Sequence, residues 1–150
     1  MSATRIPIYQ VDAFASRVFT GNPAAVCPLE QWLPDEQMQA IAAENNLAET
    51  AFFVPNGDGY ELRWFTPTVE VDLCGHATLA SAFVIFNEIT PAAKSVQFLT
   101  KSGKLAVTRD GDLLSLDFPA HAPIECQVHP GLTAALGASP RRCWGRAITW

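Results

Sequence analysis

Residues 75–89 constrain the fold of this chain more than any other segment, because their helical pattern is apolar or small on nearly every side. Leu79, Phe83 and Phe86 recur at helical spacing, and small or branched residues fill the remaining positions. A helix that is apolar all round is surrounded by protein. The rest of the chain must therefore supply elements that wrap around it.

Runs rich in β-branched and aromatic residues on both sides of this helix predict strands. Turn sequences at residues 56–59, 102–103 and 110–111 join several of them into hairpins. The predicted strands cover residues 6–14, a stretch that ends at Val26, and residues 50–55, 60–66, 95–100, 104–109 and 113–118. We therefore predict an α+β fold, in which a mostly antiparallel sheet or barrel wraps around the central apolar helix.

Two further helices are predicted from their end signals. Pro34 fits the first position of an amphipathic helix, two acidic residues follow it, and Asn45 and Asn46 form a plausible stop. Residues 130–136 predict a short helix that is closed by Gly137.

Composition and charge exclude several classes of protein. Hydrophobic residues make up 49% of the chain and charged residues 17%, which is typical of a globular domain with a core. The net charge of -5 argues against a nucleic-acid partner. No run approaches the roughly eighteen apolar residues of a membrane span, and the first residues lack the apolar core of a secretory signal. We therefore expect a cytoplasmic protein with neither a nucleic-acid nor a membrane partner.

The four cysteines are widely spaced and show no C-x-x-C pair. This spacing predicts neither a zinc site nor a disulfide framework, and we expect no metal ligands. Most of the thiols are expected to be buried, reduced packing residues. The cysteines are Cys27, Cys74, Cys126 and Cys143.

Residues 71–78 place a glycine and several polar side chains at the start of the apolar helix. Unpaired backbone N–H groups at a helix N-terminus form an anion site, and Gly75 lets a carboxylate come close to the backbone. His76 in the first turn could donate a hydrogen bond or move a proton. The alternative is that Asp72 caps the helix, Cys74 is a packing residue and His76 is a satisfied polar group.

Glu49 follows the amphipathic helix at the point where the chain turns into a strand. Its apolar neighbours would remove part of its hydration, and a partly desolvated carboxylate suits general acid and base catalysis. The alternative is an ordinary solvated glutamate on the surface.

A third candidate is Asn22, in a glycine-containing loop between two strands. Its side-chain amide could hydrogen-bond to a substrate carboxylate. The alternative is an ordinary tight turn.

Three stretches together resemble the N-terminal half of PhzF-like proteins, the phenazine-biosynthesis family, in order and spacing over about residues 5–140. They are residues 11–14 with 19–26, residues 46–52, and residues 63–67 followed by 72–78. The resemblance implies the diaminopimelate epimerase-like fold, which has two similar domains and an active site in the cleft between them. Residues 1–150 would then be one such domain, residues 141–150 a tail without clear pattern, and the second half would be absent from this chain.

The resemblance also implies a reaction. Glu49 matches the glutamate of the family's Asn-Leu-x-Glu-Thr motif, which moves a proton between carbons of a small carboxylate substrate without a cofactor. By the same match Gly75 and His76 would lie at the substrate, with Asp72 near it. Helix N-terminal amides would stabilise the negative charge that develops when the proton leaves.

Two alternatives stay open. Cys74 matches the position of a catalytic cysteine in the related epimerases, and a helix N-terminus would lower the pKa of its thiol, which supports a cysteine-based racemase or epimerase. The other alternative is an inactive half-enzyme, in which an exposed apolar wall and unpaired strand edges favour a homodimer.

Overall fold

A computed structural model of the chain describes residues 5–17, 19–119, 122–138 and 142–145. Residues up to Phe118 form one compact unit, and residues from Pro119 onward form a second, smaller one. The strands are β1 Tyr9–Ala13, β2 Asn22–Pro28, β3 Glu49–Asn56, β4 Gly59–Phe65, β5 Glu70–Val71, β6 Ser95–Thr100, β7 Gly103–Asp110, β8 Leu113–Asp117, β9 Ile124–Cys126 and β10 Cys143–Gly145. The helices are α1 Asp35–Asn45, α2 Gly75–Val84 and α3 Pro130–Leu136.

The larger unit contains one sheet with the order β1-β2-β3-β4-β6-β7-β8, and β5 pairs with β4. Most neighbours are antiparallel, as predicted. However, β2 pairs with β3 and β4 pairs with β6 in parallel. Parallel neighbours need a crossover connection, and α1 and α2 lie in these two crossovers.

The predicted hairpins are confirmed. Asn56 pairs with Gly59 across the β3–β4 turn, and Gly57 adopts a φ of 58°, which favours glycine. The sheet continues through the β6–β7 and β7–β8 hairpins, also at the predicted glycine turns.

Helix α1 packs on one face of the sheet. Its buried residues Met38 and Ala42 belong to a core cluster that also contains Phe52 and Phe65. Pro34 precedes the first helical residue rather than occupying it, and Asn46 ends the helix with a left-handed φ of 50°. This left-handed residue redirects the chain toward β3.

Helix α2 packs on the other face and continues as a π-helical turn over Ile85–Ile89. It contacts β1, β2 and β3 at one end of the strand order and β8 at the other, so the sheet curls around it.

The inner side of α2 carries small residues, including Ala77, Ala80 and Ser81, which are buried. Small side chains let the helix backbone approach the sheet closely. Two larger residues lie on another side: Leu79 is half-buried and Phe83 is 48% exposed. The prediction of burial on nearly all sides is therefore wrong for this side of the helix.

The smaller unit consists of α3 and the antiparallel pair β9 and β10. Gly137 closes α3 in a left-handed conformation with a φ of 62°, as predicted. The β9–β10 pair was not predicted. Of the predicted tail at residues 141–150, residues 143–145 form β10, whereas residue 141 and residues 146–150 lie outside the described residues.

In the part of the chain that the structure describes, none of the helices combines the length and apolar character needed to cross a membrane.

Candidate active site

Glu49 is the first residue of β3, and its position follows from the end of α1. The chain reverses at Asn46 and enters β3 beside β2, where Glu49 lies opposite Ala24 in the parallel register. The side-chain amide of Asn45 donates to the hydroxyl of buried Thr50 over 3.2 Å. This hydrogen bond joins the helix end to the strand start and restrains the residue between them.

His76 lies in the first turn of α2 and is only 8% exposed. Cys74 precedes the helix with extended backbone angles. The Thr78 hydroxyl donates to the Cys74 carbonyl oxygen over 2.6 Å. The start of the helix is thus ordered by the chain's own groups.

The His76 imidazole lies between the other two candidate side chains. Its Nε2 atom is 3.1 Å from Oε2 of Glu49, and its Nδ1 atom is 3.3 Å from Sγ of Cys74. Among the described residues, neither Glu49 Oε2 nor His76 Nε2 has a hydrogen bond of good geometry, although both atoms are buried. The two atoms are close enough to exchange a proton but are not satisfied by other protein groups.

Burial raises the pKa of the Cys74 thiol to about 11. The backbone N–H of Ala77 acts in the opposite direction, and the nearby Glu49 carboxylate raises the pKa further. The expectation that the helix N-terminus would lower this pKa is therefore wrong. The loss of hydration outweighs the helix amides.

The remaining predicted residues are Gly75, Asp72 and Asn22. Gly75 begins α2, where an added Cβ would meet the Phe118 ring at an ordinary 3.5 Å. Asp72 is exposed and does not cap the helix, because Cys74 is at that position. Asn22 is exposed at the start of β2, two residues before the strand partner of Glu49. It therefore lies at the same end of the sheet as Glu49.

One ligand atom each from Glu49, Cys74 and His76 lies within 4.8 Å of the others, so these residues could hold a metal ion. However, His76 presents different ring nitrogens to Glu49 and Cys74. A single ion can be bound by only one nitrogen of an imidazole. The arrangement as it stands suits proton transfer through the ring better than metal binding.

A concavity of about 760 Å³ lies on the open side of α2, the side that carries Leu79 and Phe83. Its walls include Phe14, Leu79, Phe83 and Leu113, and it is not lined by Glu49, Cys74 or His76. The acid–base cluster and this apolar concavity are therefore separate features of the larger unit.

Sequence reasoning named all three cluster residues but did not predict that His76 would lie between the other two. The sequence contained little information on this arrangement, because the two-residue spacing of Cys74 and His76 at a helix start does not determine the direction of each side chain.

Known proteins are similar to this chain in sequence and in fold. A family model described as phenazine biosynthesis-like protein matches residues 11–136. A Pseudomonas aeruginosa protein named as an uncharacterized isomerase is 58% identical over 132 residues, which cover 88% of this chain and 51% of that protein. The phenazine biosynthesis-like domain-containing protein of Homo sapiens is 44% identical, with 89% of this chain and 50% of that protein covered. The chain thus spans about half the length of the curated relatives it matches.

Solved structures agree with these matches. The crystal structure of a PhzF-family phenazine biosynthesis protein from Enterococcus faecalis has a TM-score of 0.84 at 53% identity, covering 93% of this chain and 54% of that chain. A Pseudomonas aeruginosa structure described as a predicted epimerase has a TM-score of 0.71 at 24% identity, a likeness in fold alone. The predicted α+β, diaminopimelate epimerase-like fold is confirmed. Because the family model matches most of its length, the chain belongs to the phenazine biosynthesis-like (PhzC-PhzF) family.

Proposed function

We propose that this chain provides the acid–base half of an isomerase that moves a proton between carbons of a small carboxylate substrate, with Glu49 as the acid and base. The observation that carries the proposal is the buried Oε2 atom of Glu49, 3.1 Å from His76 Nε2 at the start of α2. Relatives that are named as isomerases, and of which this chain covers about half, support the reaction class. No cofactor is part of the proposal.

The neighbouring groups can assist Glu49 in this role. The Cys74 thiol keeps its proton at neutral pH, because burial raises its pKa to about 11. A protonated thiol 3.3 Å from Nδ1 of His76 can donate to that nitrogen, which leaves the ring proton on Nε2, toward Glu49. A ring N–H at this distance can turn toward the Glu49 carboxylate and stabilise its negative charge.

The negative charge that develops on the substrate can be stabilised by the start of α2. Removing a proton beside an unsaturated carboxylate places negative charge on the substrate. The N–H groups in the first turn of α2 are donors that can stabilise this charge. Glu49 then returns the proton to another carbon. Gly75, Asp72 and Asn22 are proposed as substrate contacts.

The cysteine-based racemase is the weaker alternative. A racemase of that type needs a thiolate, and the raised pKa of Cys74 disfavours one at neutral pH.

Exposed apolar residues on the open side of α2 support a second part of the proposal, which is association with another domain or chain. Phe14 is 74% and Leu113 is 72% exposed, and both line the concavity. Apolar surface of this kind is typical of interaction sites. We propose that a second domain or a second copy of the chain covers it. The inactive half-enzyme that forms a homodimer is the corresponding alternative function.

The test is solvent-deuterium incorporation into a panel of small unsaturated carboxylates, measured by mass spectrometry for three forms of the chain. Glu49→Gln should abolish incorporation, whereas Cys74→Ser should retain most of it, because a serine hydroxyl can also donate to His76. The reverse pattern would establish the cysteine racemase. If both variants matched the unmodified chain, the proposal would be wrong.

Sedimentation velocity on the same samples reports association. A homodimer that shows no exchange would favour the inactive half-enzyme, whereas a monomer would contradict association between copies of the chain.

A further inference from the structure

Cys126 and Cys143 lie directly opposite each other in the antiparallel pair of β9 and β10. Their Sγ atoms are 3.4 Å apart. Cys126 is exposed and Cys143 is half-buried, so dissolved reagents can reach the pair. The expectation that most of the cysteines are buried packing residues is therefore wrong for these two.

The backbone geometry suits a covalent bridge. Residues opposed across an antiparallel pair have Cα atoms about 4.5 to 5.5 Å apart. This range lies within the roughly 4.4 to 6.8 Å that disulfides span, and the sulfur atoms would need to approach each other by about 1.4 Å. Small side-chain rotations can provide this movement without a change in strand register.

The other two cysteines are less accessible to dissolved reagents. Cys27 and Cys74 are buried in the larger unit, where their thiols are shielded from solvent. Burial also raises the pKa of both thiols, so the attacking thiolate is scarce.

We propose that Cys126 and Cys143 form a reversible intramolecular disulfide by exchange with a small-molecule disulfide such as oxidised glutathione. One protein thiolate attacks a sulfur of the glutathione disulfide and releases one glutathione thiolate. The second protein thiolate then attacks the protein sulfur of the mixed disulfide and releases the other. The two protein thiols lose two electrons and two protons, and one oxidised glutathione gains them and becomes two reduced glutathione molecules.

The bridge is independent of the Glu49 cluster and goes beyond the proposed isomerase function. Cys126 donates a hydrogen bond to Cys143, which raises the pKa of Cys126, and the negative charge of Glu125 acts in the same direction. The pair is therefore expected to exchange slowly at neutral pH and faster in mild alkali. Once formed, the bond would tie β9 to β10 across α3.

The experiment uses the whole reduced chain, incubated with excess oxidised glutathione and then treated with iodoacetamide. The intact mass should fall by two hydrogens, and neither Cys126 nor Cys143 should be alkylated. Trypsin separates the two cysteines, because Cys126 lies in the peptide of residues 110–141 and Cys143 in the peptide of residues 143–146. These peptides should be recovered as a linked pair that reduction separates.

Single variants provide the control. Cys126→Ser and Cys143→Ser should each retain one glutathionyl group, because the resolving thiol is gone, while Cys27→Ala should still form the linked pair. Circular dichroism checks that each variant is folded. An unchanged mass, a stable glutathione adduct on both cysteines of the unmodified chain, or a bridge between two molecules would overturn the proposal.

Discussion

Nε2 of His76 lies 3.1 Å from Oε2 of Glu49, although one residue lies in the first turn of a helix and the other begins a strand. In this contact a buried carboxylate oxygen faces a buried ring nitrogen, and neither atom has a well-directed hydrogen bond from the other described residues. The pair is the centre of the proposed chemistry, and its consequences can be measured.

The first prediction concerns this contact. His76→Leu should lower the rate of substrate deuteration by about a hundredfold to ten-thousandfold, because Glu49 loses the group that positions and stabilises its charge. The comparison variant is His129→Ala, in which the lost histidine caps α3 in the smaller unit. Equal rates for the two variants would rule out a role for His76.

The second prediction concerns alkaline stability. Burial raises the pKa of Cys27 to about 12 and that of Cys74 to about 11, from an ordinary value of 9.0. Above pH 9 the unfolded chain loses these protons while the folded chain keeps them, so the free energy of unfolding falls with rising pH. Urea unfolding below pH 9 and near pH 11 should show this fall.

The variant Cys27→Ala should be less stable than the unmodified chain below pH 9, because it leaves a small cavity, but should lose less stability toward pH 11. Parallel pH profiles for the two proteins would contradict the role of this thiol.

The third prediction concerns Arg63, whose guanidinium contacts two carboxylates. Its guanidinium contacts Glu70 at 2.7 Å and Asp35 at 2.9 Å, and Lys101 also binds Glu70 at 2.7 Å. Arg63→Ala should lower the free energy of unfolding by roughly 1.5 to 3 kcal/mol, because it leaves the largely buried Glu70 with only one partner. Lys104→Ala, on an exposed position of β7, should change it little.

Arg63 also makes the free energy of unfolding depend on pH in the acidic range. The hydrogen bond from Arg63 lowers the pKa of Glu70 from 4.5 to about 2. The resulting stability is complete above pH 4.5 and is lost as the pH falls toward 2. Arg63→Ala should therefore flatten the urea-unfolding profile over this acidic interval. An unchanged profile would show that the network does not act through Glu70.

The fourth prediction concerns the turn between β1 and β2. Gly21 has a φ of 96°, and an added Cβ would collide with the carbonyl oxygen of Ala13. Gly21→Ala should destabilise the fold by roughly 2 to 3 kcal/mol through backbone strain. Gly111→Ala, at a φ of 59° with open space around it, should cost only about 1 kcal/mol in thermal or urea unfolding. Similar losses at both positions would show that the collision is relieved cheaply.

Local patterns allowed much of the fold to be predicted. The hairpin turns, the end of α1 near Asn46 and the closure of α3 at Gly137 follow from nearby residues alone, because turn and cap geometry depends on which side chains tolerate left-handed backbone angles. The β9–β10 pair was missed, because three-residue strands carry too short a pattern to be distinguished from loop.

The sequence by itself determined most strands of the larger unit, the turns, the apolar character of α2 and the identity of the candidate acid–base residues. Tertiary structure decided which groups meet. The parallel pairing of β2 and β3 places Glu49 at the start of α2, burial outweighs the helix amides at Cys74, and strand register places Cys126 opposite Cys143. Register, burial and distance depend on residues far apart in the chain, so no local pattern contains them.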